Sequence, residues 1–285
     1  MKLYYYIETG HRRGLDRLRR SAPVINVLER RGVEVTMLTD DFRAGEYAKE
    51  QFGIGKYVSV DLVRNIANIA APADRVVIDS DSESPALLND MADYYGRLVH
   101  IGDDLNRSAA SSRILSISGS DSEVVDPRYF EETRHSMGDV YFWGDDDYER
   151  ELAGLCDAFR GSGVVLLEGY YFFLQYAGEL QECFKAVYES ESYDEVLKGA
   201  NRFITSSPQS ALEALAAGSS PIFVKKSSTP EFWCGRLSEH SVPVLEVFDR
   251  ESLLSCIERE NEYEKGSLSP QSAGNVADMI YDFLI

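Results

Sequence analysis

The chain is 285 residues long and carries 48 acidic against 29 basic side chains, a formal charge of −19. That length accommodates two domains of ordinary size, each with its own core. The acidic balance argues against nonspecific binding to nucleic acid or to an anionic membrane, and no run approaches the length of a membrane span.

The opening stretch "MKLYYYIETG" lacks the apolar core and small-residue cleavage site of a secretory signal and reads as a first strand. Directly after it, "GHRRGLDRLRRSAPVINVLERRG" places Arg12, Arg13, Arg17, Arg19 and Arg20 in one loop and helix start. Arginines gain nothing from the positive end of a helix dipole, so their crowding suggests an anionic partner. A solvated face that offsets nearby carboxylates is the alternative. Strand-like runs then alternate with helix-like runs: "VEVTMLT", "DRVVIDS", "RLVHIGD" and "SRILSIS", followed by "DVYFWGD", "GVVLLEG", "RFITSS" and "SPIFVKK". The intervening helices are of crossover length, so the expected fold class is α/β with two doubly wound, Rossmann-like parallel sheets. "RYFEETRHSMGDVYFWG" offers a link near residue 137. The expected organisation is an amino-terminal domain over 1–137, a carboxyl-terminal domain over 138–272, and an amphipathic helix over 273–285 that packs across the domain boundary. Two such domains facing each other would place ligands in a cleft beyond the carboxyl ends of their strands. Cys156, Cys183, Cys234 and Cys256 are widely spaced, form no CxxC pair, and read as reduced thiols in a cytoplasmic protein.

The stretch "FITSSPQSALEALAAGSSPIF", residues 203–223, is the most informative. Pro208 suits the first helical position, Ser207 the cap before it, and Gly218 the left-handed residue that ends a helix. The helix therefore spans roughly two and a half turns, with Leu212, Leu215 and Ala216 on the face that packs on a sheet. Ser210, Glu213 and Ala217 lie on another face. The N–H groups of Gln209 and Ser210, with the hydroxyls of Ser206, Ser207 and Ser210, form a seat for an anion. Glu213, a turn further in, is placed to accept hydrogen bonds from paired hydroxyls such as those of a ribose. An ordinary Ser-capped unit with a solvated Glu213 is the plainer alternative.

Taken in order, several motifs resemble the GT-B enzymes of the pseudaminic-acid nucleotide-sugar hydrolase and spore-coat polysaccharide group. The first-strand loop of that group, GxGHxxR, is matched by "GLDRLRR", Gly14 to Arg20; its ID motif by Ile78 and Asp79; and its DD pair by Asp103 and Asp104. The turn that opens its carboxyl domain resembles "WGDD", with Gly144 and Asp146, and "AGNVADMI" resembles its closing helix. The resemblance covers essentially the whole chain. It implies that Gly144, Ser206, Ser207 and Ser210 face a nucleotide diphosphate and Glu213 its ribose. It also implies that Gly14, Arg20, Asp103 and Asp104 surround phosphate or sugar, with no cofactor and no metal. The implied partner is a nucleotide-sugar, UDP-linked in the first instance.

The departures fall on the chemical half of the site. Arg17 stands where the hydrolases carry His, and Asp16 where they carry a second Gly. A guanidinium stays protonated and cannot act as a general base. Asp16 and Asp81 are the candidate replacement bases, Arg17 a candidate clamp on a diphosphate or a carboxylated acceptor, and His11 a substitute only if its loop folds over the cleft. "DSD" at Asp79 to Asp81 matches the metal-holding DxD of the other major glycosyltransferase fold, an alternative that the two-domain pattern disfavours. "GDDDYE" at 144–149 reads as a carboxylate cap on a helix, and His100, His135 and His240 as structural or surface residues. The function implied is cleavage of the sugar–diphosphate bond of a nucleotide-sugar in surface-glycan or nonulosonic-acid biosynthesis, with transfer to an acceptor. Hydrolysis of a UDP-sugar, and non-catalytic binding of a nucleotide-sugar, are the alternatives.

Overall fold

A computed structural model of the chain describes residues 2–104, 111–132, 135–172, 178–246, 249–258 and 267–285. The chain divides into two compact units, the first made of Met1–Pro127 and Pro270–Ile285 and the second of Arg128–Ser269. The link expected near residue 137 lies inside the second unit, and its residues 133 and 134 lie outside the described residues.

In the first unit the chain runs β1 (Leu3–Ile7), α1 (Asp16–Arg30), β2 (Val35–Thr39), α2 (Phe42–Phe52), β3 (Tyr57–Ser59), β4 (Arg75–Asp79), α3 (Pro85–Tyr95), β5 (Leu98–Ile101) and β6 (Ile114–Ile117). The six strands form one parallel sheet in the order β3-β2-β1-β4-β5-β6. All five residues of β1 are buried, as a central strand with helices over both faces requires. One face holds Tyr4, Tyr6, Val76 and Ile78 against Leu88, Met91 and Tyr95 of α3. Local caps set the helix boundaries. The Asp41 carboxylate accepts the Arg43 N–H ahead of α2, and Ser84, followed by Pro85, accepts the Leu87 N–H ahead of α3.

In the second unit the order is β7 (Asp139–Phe142), α4 (Glu151–Gly154), α5 (Cys156–Phe159), β8 (Val165–Leu167), β9 (Val187–Tyr188), α6 (Tyr193–Gly199), β10 (Arg202–Thr205), α7 (Pro208–Ala216), β11 (Ser220–Val224), α8 (Glu231–Glu239), β12 (Val244–Leu245) and α9 (Arg250–Glu258). Its parallel sheet has the order β12-β11-β10-β7-β8-β9. Counted from its own first strand, this is the order of the first sheet again. In each unit the first and fourth strands lie side by side at the centre, and the connections leave in opposite directions from that point. The crevice this opens at the carboxyl ends of the strands is where open α/β sheets bind ligands. The last helix, α10 (Ser272–Leu284), belongs to the first unit, where it packs on α1 and Arg31 pairs with Asp278 at 2.6 Å. Among the described residues no helix is long and apolar enough to cross a membrane.

One expectation fails in the second unit. Cys156 and Cys183 are joined by a disulfide, so only Cys234 and Cys256 stay free, both buried. The pair is 27 residues apart in sequence, and that spacing carries no signal. Packing brings the two together: Cys183 belongs to a core cluster against which the partly buried Cys156 packs, and in which the tilted Phe159 and Phe184 rings have centroids 4.5 Å apart. Denatured, unreduced protein should therefore show two titratable thiols against the four cysteines of the sequence. Closing a loop of this length contributes roughly 3.5 kcal/mol on chain-entropy grounds, so reductant should lower the melting midpoint of the second unit by roughly 10 °C. Four free thiols before reduction would show that the bond is absent.

Candidate functional site

At the centre of the first sheet, β4 ends on Asp79, whose side chain is fully buried at the point where the strand order reverses. An uncompensated carboxylate there would be prohibitively costly, and the first turns of α1 supply its partners. Arg17 and Arg20, three residues apart on one helix face, converge on it. Arg17 Nη1 donates at 2.7 Å, Arg20 Nε at 3.0 Å and the Ser21 hydroxyl at 2.6 Å, and Arg20 Nη2 donates as well. Two guanidinia so close need more negative charge. Arg17 Nη2 reaches Asp81 at 2.7 Å and Asp103 at 2.8 Å, and Arg20 Nη1 also pairs with Asp103. Glu8, buried after β1, receives the Ser80 hydroxyl at 3.1 Å, the Ser82 hydroxyl and Arg13 Nε at 3.2 Å. Burial acts to raise the Asp79 pKa, but the two arginines and the hydrogen bonds from Arg20 and Ser21 outweigh it and hold the carboxyl below its ordinary value.

In this arrangement Arg17 and Arg20, read as candidates for an anionic partner, are paired with the protein's own carboxylates. Both terminal nitrogens of Arg17 are directed at carboxylates of the protein itself, the geometry of an internal ion network. Asp81 is likewise committed to Arg17, and both its oxygens lie 3.1 Å from the Asp103 N–H. Asp16 stands at the head of α1, 3.5 Å from Arg19 Nη1. Gly14 closes a tight loop on Gly10 with φ +73°, a backbone that favours glycine, and its N–H donates to the Gly10 carbonyl at 2.9 Å. Asp104 is half-buried at the edge of the described segment, and the rest of the "IGDDLNR" motif, from residue 105, lies outside it. His11 is exposed and meets Arg43. His100 is buried with Nε2 2.7 Å from the Ser80 carbonyl, and burial lowers its pKa. Glu8 and Ser82 escaped the sequence reading. The signal available for Glu8 was its place one residue past an apolar central strand.

The second switch point lies between Gly144, two residues past β7, and Ser206 and Ser207, directly past β10. Gly144 has φ +121°, and a Cβ there would stand 3.4 Å from Lys226 Nζ. That ammonium, two residues past β11, lies 4.1 Å above the Trp143 ring. Gly169 is fixed by close approach, since a Cβ on it would meet the Gly144 carbonyl oxygen at 2.2 Å. Asp147 accepts the N–H groups of Glu151 and Leu152 at 2.9 and 3.0 Å, capping α4, and Asp146 beside it is half-buried. Lys226 is the functional candidate that the sequence reading missed, although "VKK" at a strand end carried the signal.

Helix α7 forms where expected, with the Ser207 side chain accepting the Ser210 N–H at 3.0 Å and Gly218 at φ +78°. Its environment differs. Gln209 through Ala214 are all buried, whereas Leu215 and Ala216 are only half-buried. Glu213 has no solvent exposure, and both its oxygens accept hydrogen bonds inside the protein, from Tyr193 Oη at 2.7 Å and from Gln209 Nε2 at 3.0 Å. Glu213, expected to face a ribose, has its carboxylate in the core network of α6 and α7. Among the described residues no group of three or more His, Cys, Asp or Glu is arranged to hold a metal ion.

The buried ion network has a pH signature. Asp79 titrates below its unfolded value of about 3.9, so its contribution to stability is fully present above that pH and is lost as pH falls through the folded value. Asp79→Asn leaves Arg17 and Arg20 undercompensated and should cost about 3 to 5 kcal/mol at pH 6. Urea titrations at pH 6 and pH 3 should show the gap between parent and variant narrowing at the lower pH. A gap of constant size would rule out this role for Asp79.

No family model matches the chain, and no curated protein does. Solved structures do match over its full length. The UDP-GlcNAc 2-epimerase of Methanocaldococcus jannaschii, in complex with UDP-GlcNAc and UDP, is 10% identical with a TM-score of 0.65, covering 99% of this chain and 100% of that one. The UDP-GlcNAc 2-epimerase of Neisseria meningitidis, bound to UDP-GlcNAc, is 12% identical with a TM-score of 0.57, covering 100% and 99%. The glycosyltransferase VinC, in complex with dTDP, is 14% identical with a TM-score of 0.54, covering 100% and 95%. At these identities the likeness establishes the fold: an α/β chain of the GT-B class, with two Rossmann-like units.

Proposed function

We propose that the protein is a nucleotide-sugar-dependent enzyme that takes a nucleoside diphosphate sugar, UDP-linked in the first instance, at the switch point of the second unit. There it breaks the sugar–diphosphate bond and hands the sugar to an acceptor. The observation that carries this reading is Lys226, an ammonium 4.1 Å over the Trp143 ring and beside the backbone of Gly144. The amino end of α7, entered through Ser206 and Ser207, opens at the same switch point. A lysine and a helix amino terminus suit a diphosphate, and both stabilise the charge that develops on it as the sugar departs. The UDP, UDP-GlcNAc and dTDP held by the structural neighbours support the same class of ligand.

Arg17 is no base, and Asp81 is committed to it. Glu83 of the first unit is a half-buried carboxyl whose pKa is raised by burial and by the charge of Glu8. Incubation with a panel of UDP-, GDP- and dTDP-linked sugars should release free nucleoside diphosphate from one of them. Release that depends on an added acceptor identifies transfer, release in buffer alone identifies hydrolysis, and binding without release leaves a non-catalytic binder. Lys226→Ala should weaken UDP roughly ten-fold or more, the worth of a charge-assisted contact, while Lys226→Arg retains most of the affinity. Equal calorimetric affinities for Lys226→Ala and the parent would move the diphosphate elsewhere.

A further inference from the structure

Two stretches of the second unit meet beside its switch point, and a covalent bond ties them. The first runs from Gly144, past β7, through α4 to Cys156 at the head of α5. The second includes Gly169 to Phe172, past β8, and Gly178 to Cys183. At the site end the contact is backbone on backbone. The Tyr171 N–H donates to the Asp145 carbonyl at 2.8 Å, and a Cβ on Gly169 would stand 2.6 Å from that same oxygen. Gly144 in turn lies against Lys226, so a displacement of this wall reaches the ammonium assigned to the diphosphate. At the other end the Cys156–Cys183 disulfide joins the stretches, with Cα atoms 5.3 Å apart. The remaining ties hold them together without fixing their register. Arg150 pairs with Glu179, and Arg160 stands 4.0 Å from Glu182, but all four side chains are exposed, where an ion pair contributes little. Leu152, Phe159, Phe172 and Leu180 share one core cluster, and such burial is non-directional. Helices α4 and α5, at four residues each, are too short to keep their shape unaided.

We propose that the Cys156–Cys183 disulfide is a redox-controlled brace of this switch point: reduction by a dithiol loosens the wall at Gly144 and Asp145 and weakens the hold on a diphosphate. The loss of affinity rests on the nucleotide reading above, and the loosening does not. Cys156 is half-buried and Cys183 buried, so a thiolate of the dithiol attacks the Cys156 sulfur, and the Cys183 sulfur leaves with the electron pair and takes a proton. The second thiolate of the reagent then attacks the mixed disulfide, closes its own cyclic disulfide and releases Cys156 as a thiol. Two electrons and two protons pass to the protein, and exchange with a small-molecule disulfide reverses the step.

The test compares the full chain before and after dithiothreitol, with the thiol count rising from two to four as the check on reduction. Reduction should weaken UDP roughly five-fold or more in calorimetric titration, because the binding-competent wall is then only fractionally populated. Hydrogen exchange of the Tyr171 amide should quicken roughly ten-fold while the amides of β10 stay protected. A Cys156→Ser, Cys183→Ser double variant should match the reduced protein and ignore dithiothreitol, which separates the brace from Cys234 and Cys256. Fully reduced protein that keeps its UDP affinity within about two-fold and its Tyr171 protection overturns the brace and leaves the nucleotide reading standing. Loss of protection throughout the second unit on reduction also overturns it, since the bond is then a staple of the whole unit. Failure of the oxidised protein to bind UDP at millimolar concentration overturns the nucleotide reading, and the Tyr171 exchange alone then decides the brace.

Discussion

A carboxylate with no access to water, Asp79, sits at the end of the central strand of the first sheet, and its neutralisation dictates what surrounds it. The helix after β1 must enter so that Arg17 and Arg20 both reach the carboxylate within one turn. The two guanidinia repel each other and draw in Asp103 from the end of β5 and Asp81 from the end of β4. Asp81 in turn leaves no room for a side chain at residue 102, where a Cβ would stand 2.7 Å from its oxygen. A single buried charge thus fixes the entry of one helix and the ends of two strands. Removing one partner from such a network exposes the remainder to desolvation without compensation, so its members hold together as a set.

The second unit also buries a carboxylate, Glu213, which accepts hydrogen bonds from a phenol and an amide. The side chains at the two switch points therefore differ. In the first, cations are consumed by internal anions. In the second, a phenol and an amide donate to the buried Glu213, and the Lys226 ammonium lies over the Trp143 ring. Shared topology alone would predict two similar sites, so the difference must come from side chains at equivalent strand ends.

Nine of the strands were legible because they are apolar, flanked by turn residues and spaced by crossover helices. The three that were not, β3, β9 and β12, are edge strands of two or three residues, too short to show any periodicity. The ends of α7 were legible in Pro208 and Gly218, since backbone chemistry is local. Its buried face was not, because Tyr193 covers a side of the helix that its own sequence marks as polar. The same holds for the arginines of α1. Their composition announced charge compensation, but the carboxylates that provide it lie 59 to 86 residues away. Long-range pairing of this kind, like that of Cys156 with Cys183, becomes visible only when the sheet order is known.

Helix α10 returns to the first unit after the whole of the second has been traversed. During synthesis the ribosome therefore emits the first sheet, then a unit contained in one unbroken segment, and only then the helix that covers α1. The side of α1 that will receive α10 stays uncovered while more than a hundred further residues are added, which at roughly 5–20 residues per second is a wait of several seconds. The second unit can close as soon as it emerges, whereas the first must persist unfinished. Nascent chains stalled before residue 270 are accordingly the stage at which this protein is most exposed to chaperones and to aggregation.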